Sequence, residues 1–166
     1  VNTHGSDMIV THLSPHDWKF RLKEAQMLTS YIQDNQLDNC MVMGDFNAYS
    51  PFDADWVETH AQLIENMQKW DAEQKAYRNM RDGRFDYSVL SKFLSIGLTD
   101  ICRLYVPADK RTTFPAAFLY GWQHGDTRLH GIGERLDYIL VSPSLVSRCL
   151  DARIHNGIET EGISDH

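Results

Sequence analysis

The pattern that most constrains the fold is a strand, an amphipathic helix and a second strand within residues 8–43. Residues 8–13 (MIVTHL) are rich in β-forming residues and predict the first strand. Ser14 or Asp17 is a suitable helix cap, and apolar residues then recur every three or four positions. They are Trp18, Leu22, Ala25, Leu28 and Ile32. Residues 40–43 (CMVM) predict the second strand, so we expect functional loops at the carboxyl ends of these strands.

Polar residues interrupt or follow the apolar strands. They are His12, the pair Asp45 and Asn47, Asp137, and the pair Asp165 and His166. A buried carboxylate is costly unless it is paired, protonated or bound to a metal ion. Taken singly, each residue has a structural explanation, such as a strand-end histidine with satisfied hydrogen bonds, a turn cap, or a partner for Arg135. Taken together, they supply two imidazoles, three carboxylates and an amide, with no serine or cysteine nucleophile motif.

The composition is that of one globular domain with a sizeable core. The chain has 166 residues, of which 42% are hydrophobic and 23% charged, and no apolar run reaches membrane-spanning length. The net charge of −7 argues against a broadly cationic surface that coats nucleic acid, although a small basic patch can still hold a phosphate. The three cysteines lack ligand-type spacing, so we expect neither a disulfide scaffold nor a cysteine zinc site.

The middle of the chain predicts a solvated helical insertion or lid at about residues 54–96. Residues 54–80 predict one long helix, and the turn formers at 81–84 (RDGR) end it. The apolar side of this helix carries Trp56, Leu63, Met67 and Trp70. Residues 87–94 predict a second, shorter helix.

The strongest strand pattern is at residues 135–141 (RLDYILV), where Asp137 lies among large apolar residues. A short strand is expected at residues 152–155. Trp122, His124 and His130 precede the strong strand in a loop rich in turn formers. They either shape a specificity pocket or are ordinary loop residues.

This set of polar residues suits metal-assisted hydrolysis of a phosphate ester. Magnesium prefers oxygen ligands, usually one or two carboxylates with water and a substrate phosphate. An aspartate can deprotonate the attacking water while an amide orients it. An imidazolium can stabilise charge on the phosphorane oxygens, and a buried aspartate keeps such a histidine protonated.

Four short motifs, in this order along the chain, resemble the endonuclease/exonuclease/phosphatase superfamily. They are THL (11–13, followed by Arg21 and Gln26), GDFNA (44–48), RLDY (135–138) and SDH (164–166). Each motif alone is weak, but together they cover nearly the whole chain. The resemblance implies an α+β fold, a deoxyribonuclease I-like four-layer α/β/β/α sandwich. It also implies hydrolysis of phosphodiesters or phosphomonoesters with Mg²⁺ or Mn²⁺.

The resemblance also implies roles for individual residues. Asp45 would position or deprotonate the attacking water, and Asn47 would orient that water or the phosphate. His166 would contact the scissile phosphate and form a His–Asp pair with Asp137, and His12 would be a second phosphate-facing histidine. Asp165 would lie near the metal as a direct or water-mediated ligand.

The chain departs from the family pattern at its amino-terminal side. The family carries a glutamate, its principal metal ligand, and an early asparagine. Both are expected before Val1, and neither has a counterpart within residues 1–166. We therefore expect these residues to form the carboxyl-terminal part of one such domain, to be inactive or to need its other part, and to expose one apolar sheet face.

The substrate class remains open between several phosphate esters. The abasic-site endonuclease branch resembles this chain at Thr112, Thr113 and Phe114, but has tryptophan where this chain has Pro115 and Glu134. This difference argues against abasic-site recognition. A phosphodiesterase of the nuclease type is the leading hypothesis, with nucleic acid as a candidate partner. A lipid or inositol phosphate phosphoesterase is the alternative, and a hypothesis of another class is an inactive family member that acts as a binding module.

Overall fold

A computed structural model describes residues 1–74, 78–116, 133–157, 160 and 163–166. The strands are β1 (Asn2–Thr3), β2 (Ser6–His12), β3 (Cys40–Asp45), β4 (Met80–Arg81), β5 (Arg84–Phe85), β6 (Thr99–Asp100) and β7 (Asp137–Val141). The helices are α1 (Trp18–Asp34), α2 (Ala54–Glu58), α3 (Ala61–Glu73), α4 (Ser88–Ser95), α5 (Ile101–Tyr105) and α6 (Pro143–Val146). The predicted loop residues Trp122, His124 and His130 lie outside the described residues.

Five strands form one mixed sheet in the order β1-β2-β3-β7-β6. The expected strand–helix–strand unit is confirmed, because β2 and β3 are parallel neighbours and α1 connects them. Strand β7 pairs antiparallel with β3. Strands β4 and β5 form a separate two-stranded hairpin. The described residues therefore combine helices with one large mixed sheet, which is consistent with the expected α+β class.

The main core lies between one face of the sheet and the helices α1 and α4. Asp17 caps α1, since its side chain accepts a hydrogen bond from the Lys19 N–H. The helix turns Ala25 and Ile32 towards the sheet, and α4 adds Phe93 to the same core. Fully burying each large apolar side chain contributes about 1.5–3 kcal/mol, so this face stabilises the strands that carry the polar residues.

The helical region at 54–96 differs from the single long helix predicted there. The region contains α2 and α3, and the break between them lies at Thr59 and His60. The Thr59 hydroxyl and the His60 ring both lie within hydrogen-bond distance of the Trp56 carbonyl, so these side chains end α2. The predicted helix break at 81–84 is a hairpin turn, in which Asp82 and Gly83 have φ values of 52° and 75°. The predicted second helix is confirmed as α4, which starts one residue later.

As far as the described residues show, the opposite face of the large sheet is apolar and open. Val10 is 73% exposed and Ile139 is 39% exposed on this face. Both residues line a groove of about 430 Å³, together with Met43 and Ile154. An exposed apolar sheet face was expected from the sequence, and such faces normally pack against another layer.

The short strand predicted at residues 152–155 is wrong, because this segment has no regular secondary structure. A strand needs a hydrogen-bonded neighbour, and no strand ladder among the described residues includes this segment. The segment instead lies along the open groove through Arg153, Ile154 and His155.

Gly44 allows β2 and β3 to approach each other closely. Its φ is +132°, and a Cβ atom placed there would lie 1.9 Å from the Thr11 carbonyl oxygen. Backbone atoms of the central sheet cannot move away without breaking the parallel register in which Thr11 faces Gly44. No other amino acid fits this position without displacing a strand.

We expect Gly44→Ala to lower the free energy of unfolding by roughly 2–4 kcal/mol, because it adds both backbone strain and a steric clash. Gly5→Ala is the matched control: Gly5 also has a positive φ of +74°, but its Cβ would meet no atom within 4 Å. The control should cost only about 1 kcal/mol. Urea unfolding of both variants tests this, and equal losses would show that the close approach is not the constraint.

Candidate active site

Three of the predicted site residues form one row across adjacent strands. In the parallel β2–β3 pair His12 faces Asp45, and in the antiparallel β3–β7 pair Asp45 faces Asp137. The row lies where β2 and β3 end and β7 begins. Strand pairing therefore places an imidazole and two carboxylates side by side, although 125 residues separate the first from the last.

The Asp45 carboxylate is the centre of the cluster. Its Oδ2 atom lies 3.4 Å from Nε2 of His12 and 3.7 Å from Nε2 of His166. The Asp45 side chain is only 16% exposed, whereas the His12 side chain is 70% exposed. One carboxylate oxygen thus contacts two imidazoles at the edge of the sheet.

Asn47 joins the cluster through a left-handed backbone conformation, with φ at 46°. Its Nδ2 donates to the Leu13 carbonyl at 2.9 Å and to Asp45 Oδ2 at 3.2 Å. Its backbone N–H donates to Asp45 Oδ1 at 2.7 Å. A turn that asparagine tolerates therefore brings the amide next to the Asp45 carboxylate.

His166 reaches the cluster from the end of the chain and pairs with Asp137. Nδ1 of His166 lies 2.7 Å from Asp137 Oδ2, and its Nε2 faces Asp45. The Phe114 ring packs on the imidazole, with centroids 5.0 Å apart. The predicted His–Asp pair is therefore present in the geometry. The structural alternative that Asp137 pairs with Arg135 is wrong, because Arg135 bonds Asp53 and Asp100 instead.

Burial and neighbouring charges shift the pKa values of this cluster. Burial raises the pKa of Asp45, and the hydrogen bond from the Asn47 N–H opposes that rise. The hydrogen bond to Asp137 raises the pKa of His166, against the effect of burial. The imidazolium form of His166 therefore stabilises the fold below the ordinary histidine pKa, and this contribution is lost as the pH rises through the raised pKa.

The described residues fit part of a metal site. No group of three His, Cys, Asp or Glu side chains that could hold a metal ion occurs among them. Mg²⁺ needs only one or two protein carboxylates when water and substrate phosphate complete its shell, and Asp45 offers one at the cluster. Asp165, the predicted metal ligand, is exposed, and its backbone carbonyl accepts from the Ala116 N–H at 2.7 Å. The Asp165 side chain is thus not bonded into the cluster.

Val1, before which the principal glutamate ligand is expected, is not part of the cluster. Its side chain is exposed, and its amino group donates to the Met8 carbonyl at 2.9 Å. Met8 precedes His12 by four residues in β2, so Val1 lies away from the end of the strand that carries the site. The role of the expected glutamate therefore stays a prediction.

Thr113 supports the site and was not predicted to do so. Its hydroxyl oxygen accepts hydrogen bonds from the backbone N–H groups of Leu136 and Asp137, at 3.0 Å and 3.1 Å. These bonds fix the backbone from which the Asp137 carboxylate projects. The sequence contains the threonine, but only the fold brings it next to the start of β7.

A buried network of ion pairs supports the two segments that carry Asp45 and Asp137. Asp53, only 4% exposed, bonds Arg111 at 2.7 Å and Arg135 at 3.0 Å, and Arg135 also bonds Asp100 at 2.5 Å. Asp53 follows the Asp45–Asn47 turn, and Arg135 precedes Asp137. The network therefore ties together the two chain segments that carry the carboxylates of the cluster.

The His–Asp pair predicts a measurable change in proton affinity. We expect Asp137→Asn to lower the pKa of His166, because an amide stabilises an imidazolium less than a carboxylate does. Ring-proton NMR of the metal-free protein in EDTA measures this pKa, with the signal assigned by its loss in His166→Gln. Asp38→Asn is the matched control, since Asp38 lies just before the first residue of β3, at the end of the strand opposite to the cluster. An unchanged pKa in Asp137→Asn would contradict the pairing.

No helix among the described residues is both long and apolar enough to cross a membrane. A comparison with curated proteins gave no match. The model of the Endonuclease/Exonuclease/phosphatase family matches residues 5–166, a range that includes all of the cluster described above. This match confirms the resemblance carried by the four short motifs: the chain belongs to the endonuclease/exonuclease/phosphatase family.

Proposed function

We propose that the protein hydrolyses a phosphodiester, with an endonuclease-type reaction that uses a divalent metal ion. Membership of the family makes a phosphoesterase or nuclease-type hydrolase the general class. The observation that carries the finer proposal is the convergence of His12 and His166 on one carboxylate oxygen of Asp45, with Asp137 behind His166. This arrangement combines a general base with two imidazoles that can donate hydrogen bonds to a phosphate.

In the proposed reaction, Asp45 accepts a proton from the attacking water as the water oxygen bonds to phosphorus. The bond from phosphorus to the leaving oxygen breaks, and the leaving oxygen keeps the electron pair and takes a proton from solvent. Burial raises the pKa of Asp45, which makes its carboxylate a stronger base. Asn47 would orient the water, since its amide already contacts Asp45.

His166 and His12 would bind oxygens of the phosphoryl group that the water attacks. Asp137 favours the protonated form of His166 and orients its ring, so Nε2 would donate to an oxygen that gains charge in the transition state. Family members commonly use divalent metals, and a bound Mg²⁺ or Mn²⁺ would neutralise charge on the phosphate. Asp165 is the residue that we propose as its ligand in this part of the chain, beside the glutamate expected before Val1.

The proposed roles predict large losses of activity in single variants. In the full-length protein, Asp45→Ala and His166→Ala should each lower kcat by about 10²–10⁴-fold, because each removes a group that acts in the transition state. Hydrolysis of a bis-aryl phosphodiester with Mg²⁺ or Mn²⁺ measures the effect. Asp38→Ala is the matched control, and thermal unfolding should show that all three variants are folded.

Full activity in either Asp45→Ala or His166→Ala would overturn these roles. A folded full-length protein that turns over no phosphate ester, but still binds one, would instead identify an inactive binding module. Plasmid DNA, abasic duplex, sphingomyelin and an inositol phosphate belong in the same activity panel, because together they separate nucleases from lipid and inositol phosphoesterases.

We extend the proposal to the fold: the open apolar face of the large sheet packs against a second sheet, as in a four-layer sandwich. The support is the exposure of Val10 and Ile139 beside the long apolar groove. Residues 1–166 would then be the carboxyl-terminal part of the domain, and the covering layer would come from another part of the same protein.

This fold proposal predicts a contrast between two equally exposed residues. Val10 on the open sheet face is 73% exposed and Met27 on the outer side of α1 is 72% exposed. In the full-length protein, Val10→Ser should lower the free energy of unfolding by about 1–3 kcal/mol, whereas Met27→Ser should change it by less than about 0.5 kcal/mol. Chemical denaturation measures both, and two small effects would show that no layer covers the sheet face.

A further inference from the structure

A group of cations surrounds one tryptophan where α1 begins. The Arg81 guanidinium lies 4.9 Å from the centroid of the Trp18 ring, and Nζ of Lys19 lies 5.4 Å from it. Arg78 pairs with the same segment in an isolated bridge to Asp17. Lys19, Arg78 and Arg81 are all exposed. We call Trp18 and these three cations the cationic ridge.

The ridge is built from two distant parts of the chain that are bonded to each other. The Trp18 N–H donates to the Arg78 carbonyl at 2.9 Å, and the Arg78 N–H donates to the His16 carbonyl at 2.5 Å. Arg21, which is only 2% exposed, donates to Asn79 Oδ1 at 2.9 Å. The position of these cations is thus set by backbone bonds and a buried guanidinium.

Neighbouring bonds support the hairpin side of the ridge. The Asp71 carboxylate accepts from the N–H groups of Asn79 and Met80, at 3.0 Å and 2.8 Å. Gln68 on α3 donates to the Gly83 carbonyl in the hairpin turn at 2.9 Å. The β4–β5 hairpin is therefore anchored on α3 and on the start of α1.

The ridge lies at the same end of the sheet as the catalytic cluster. Helix α1 follows β2, so its first residue Trp18 is near the carboxyl end of that strand, where His12 faces Asp45. The six residues from His12 to Trp18 span at most about 20 Å when extended. An elongated substrate that reaches the cluster can therefore reach the ridge.

The carboxylates around the ridge are mostly engaged in local bonds. Asp17 accepts from the Lys19 N–H and Asp71 from two backbone N–H groups. Asp86 is buried, accepts from Ser88, and lies 3.8 Å from Arg81, whose side chain stays 54% exposed. Asp82, at the hairpin turn, is exposed. The cations therefore present their charge to solvent more fully than the acids do.

We infer that the cationic ridge binds the phosphodiester backbone of a polynucleotide that extends from the catalytic cluster. This inference rests on the proposed function and adds its substrate class. Three exposed cations on two bonded segments offer separate contacts to the phosphates of a strand, whereas a small diester at the cluster would not reach them. The Trp18 ring is half-buried under its cations, so the ridge offers no protruding aromatic side chain for insertion into a membrane.

The test measures binding separately from hydrolysis. Fluorescence anisotropy of labelled single-stranded and duplex oligonucleotides with the full-length protein in EDTA gives affinity without turnover. Arg78→Ala/Arg81→Ala should weaken binding on the order of tenfold and reduce the salt slope of log K by about 1.4 for a single strand, at about 0.7 per phosphate contact. Arg148→Ala is the control, because Arg148 follows β7 and α6 at the opposite end of the sheet.

Two further variants keep the test decisive if the alanine variant folds poorly. Arg78→Lys/Arg81→Lys keeps the charge and should retain most of the affinity, and Asp82→Asn should tighten binding. Unchanged oligonucleotide affinity in the folded alanine variant would overturn the inference. So would a loss of binding to phosphatidylserine vesicles without a loss of binding to oligonucleotides, which would assign the ridge to a membrane surface.

Hydrolysis of the bis-aryl phosphodiester separates this inference from the proposed function. Absence of hydrolysis in the full-length protein with Mg²⁺ and Mn²⁺ would remove the proposed reaction, while the anisotropy measurement would still report on the ridge. If the protein hydrolyses the diester but the ridge variant binds oligonucleotides as well as the unmodified protein does, the proposed reaction stands. The inference about the cationic ridge is then overturned.

Discussion

The close contact between β2 and β3 at Gly44 is the constraint on which the site depends. Since no side chain fits between Gly44 and the Thr11 carbonyl, the two strands meet in only one register. That register places His12 beside Asp45, and the pairing of β3 with β7 places Asp137 on the other side. His12, Asp45 and Asp137 are thus carried by strands of the central sheet, which is more rigid than a loop, whereas Asn47 and His166 lie outside the strands.

Charged groups occur both in the buried ion network beside the site and in the partly buried cluster itself. The network of Asp53, Arg111 and Arg135 is buried and joins the segments that carry the two carboxylates. Removing one partner from such a network leaves an unpaired buried charge, which is strongly destabilising. In the cluster above it, the charged groups are only partly buried, so they stay accessible to a phosphate. The buried network positions the chain segments that carry the carboxylates, whereas the groups of the cluster can exchange protons.

The sequence predicted the central strands β2, β3 and β7 because short apolar patterns mark them, whereas the strand predicted at residues 152–155 is wrong. The apolar runs before Asp45 and after Asp137 mark the central strands, and acids in such runs indicate function when they recur at several strand ends. The helical region was predicted less well. Its break depends on the Thr59 and His60 side chains, and its hairpin strands have two residues each, too few for a period to be visible. Only the Asp82–Gly83 pair, a common hairpin turn, pointed to it.

The supporting role of Thr113 and the cationic ridge were not predicted from the sequence, and for the same physical reason. Neither contact leaves a local pattern in the sequence. One is a hydroxyl that accepts hydrogen bonds from two backbone N–H groups, and the other is an arginine over a tryptophan that lies 63 residues earlier. The net charge of −7 argued only against a broadly cationic surface, and an average over the chain does not describe the field at one edge of a sheet. Substrate class is therefore better argued from where the exposed cations lie than from their number.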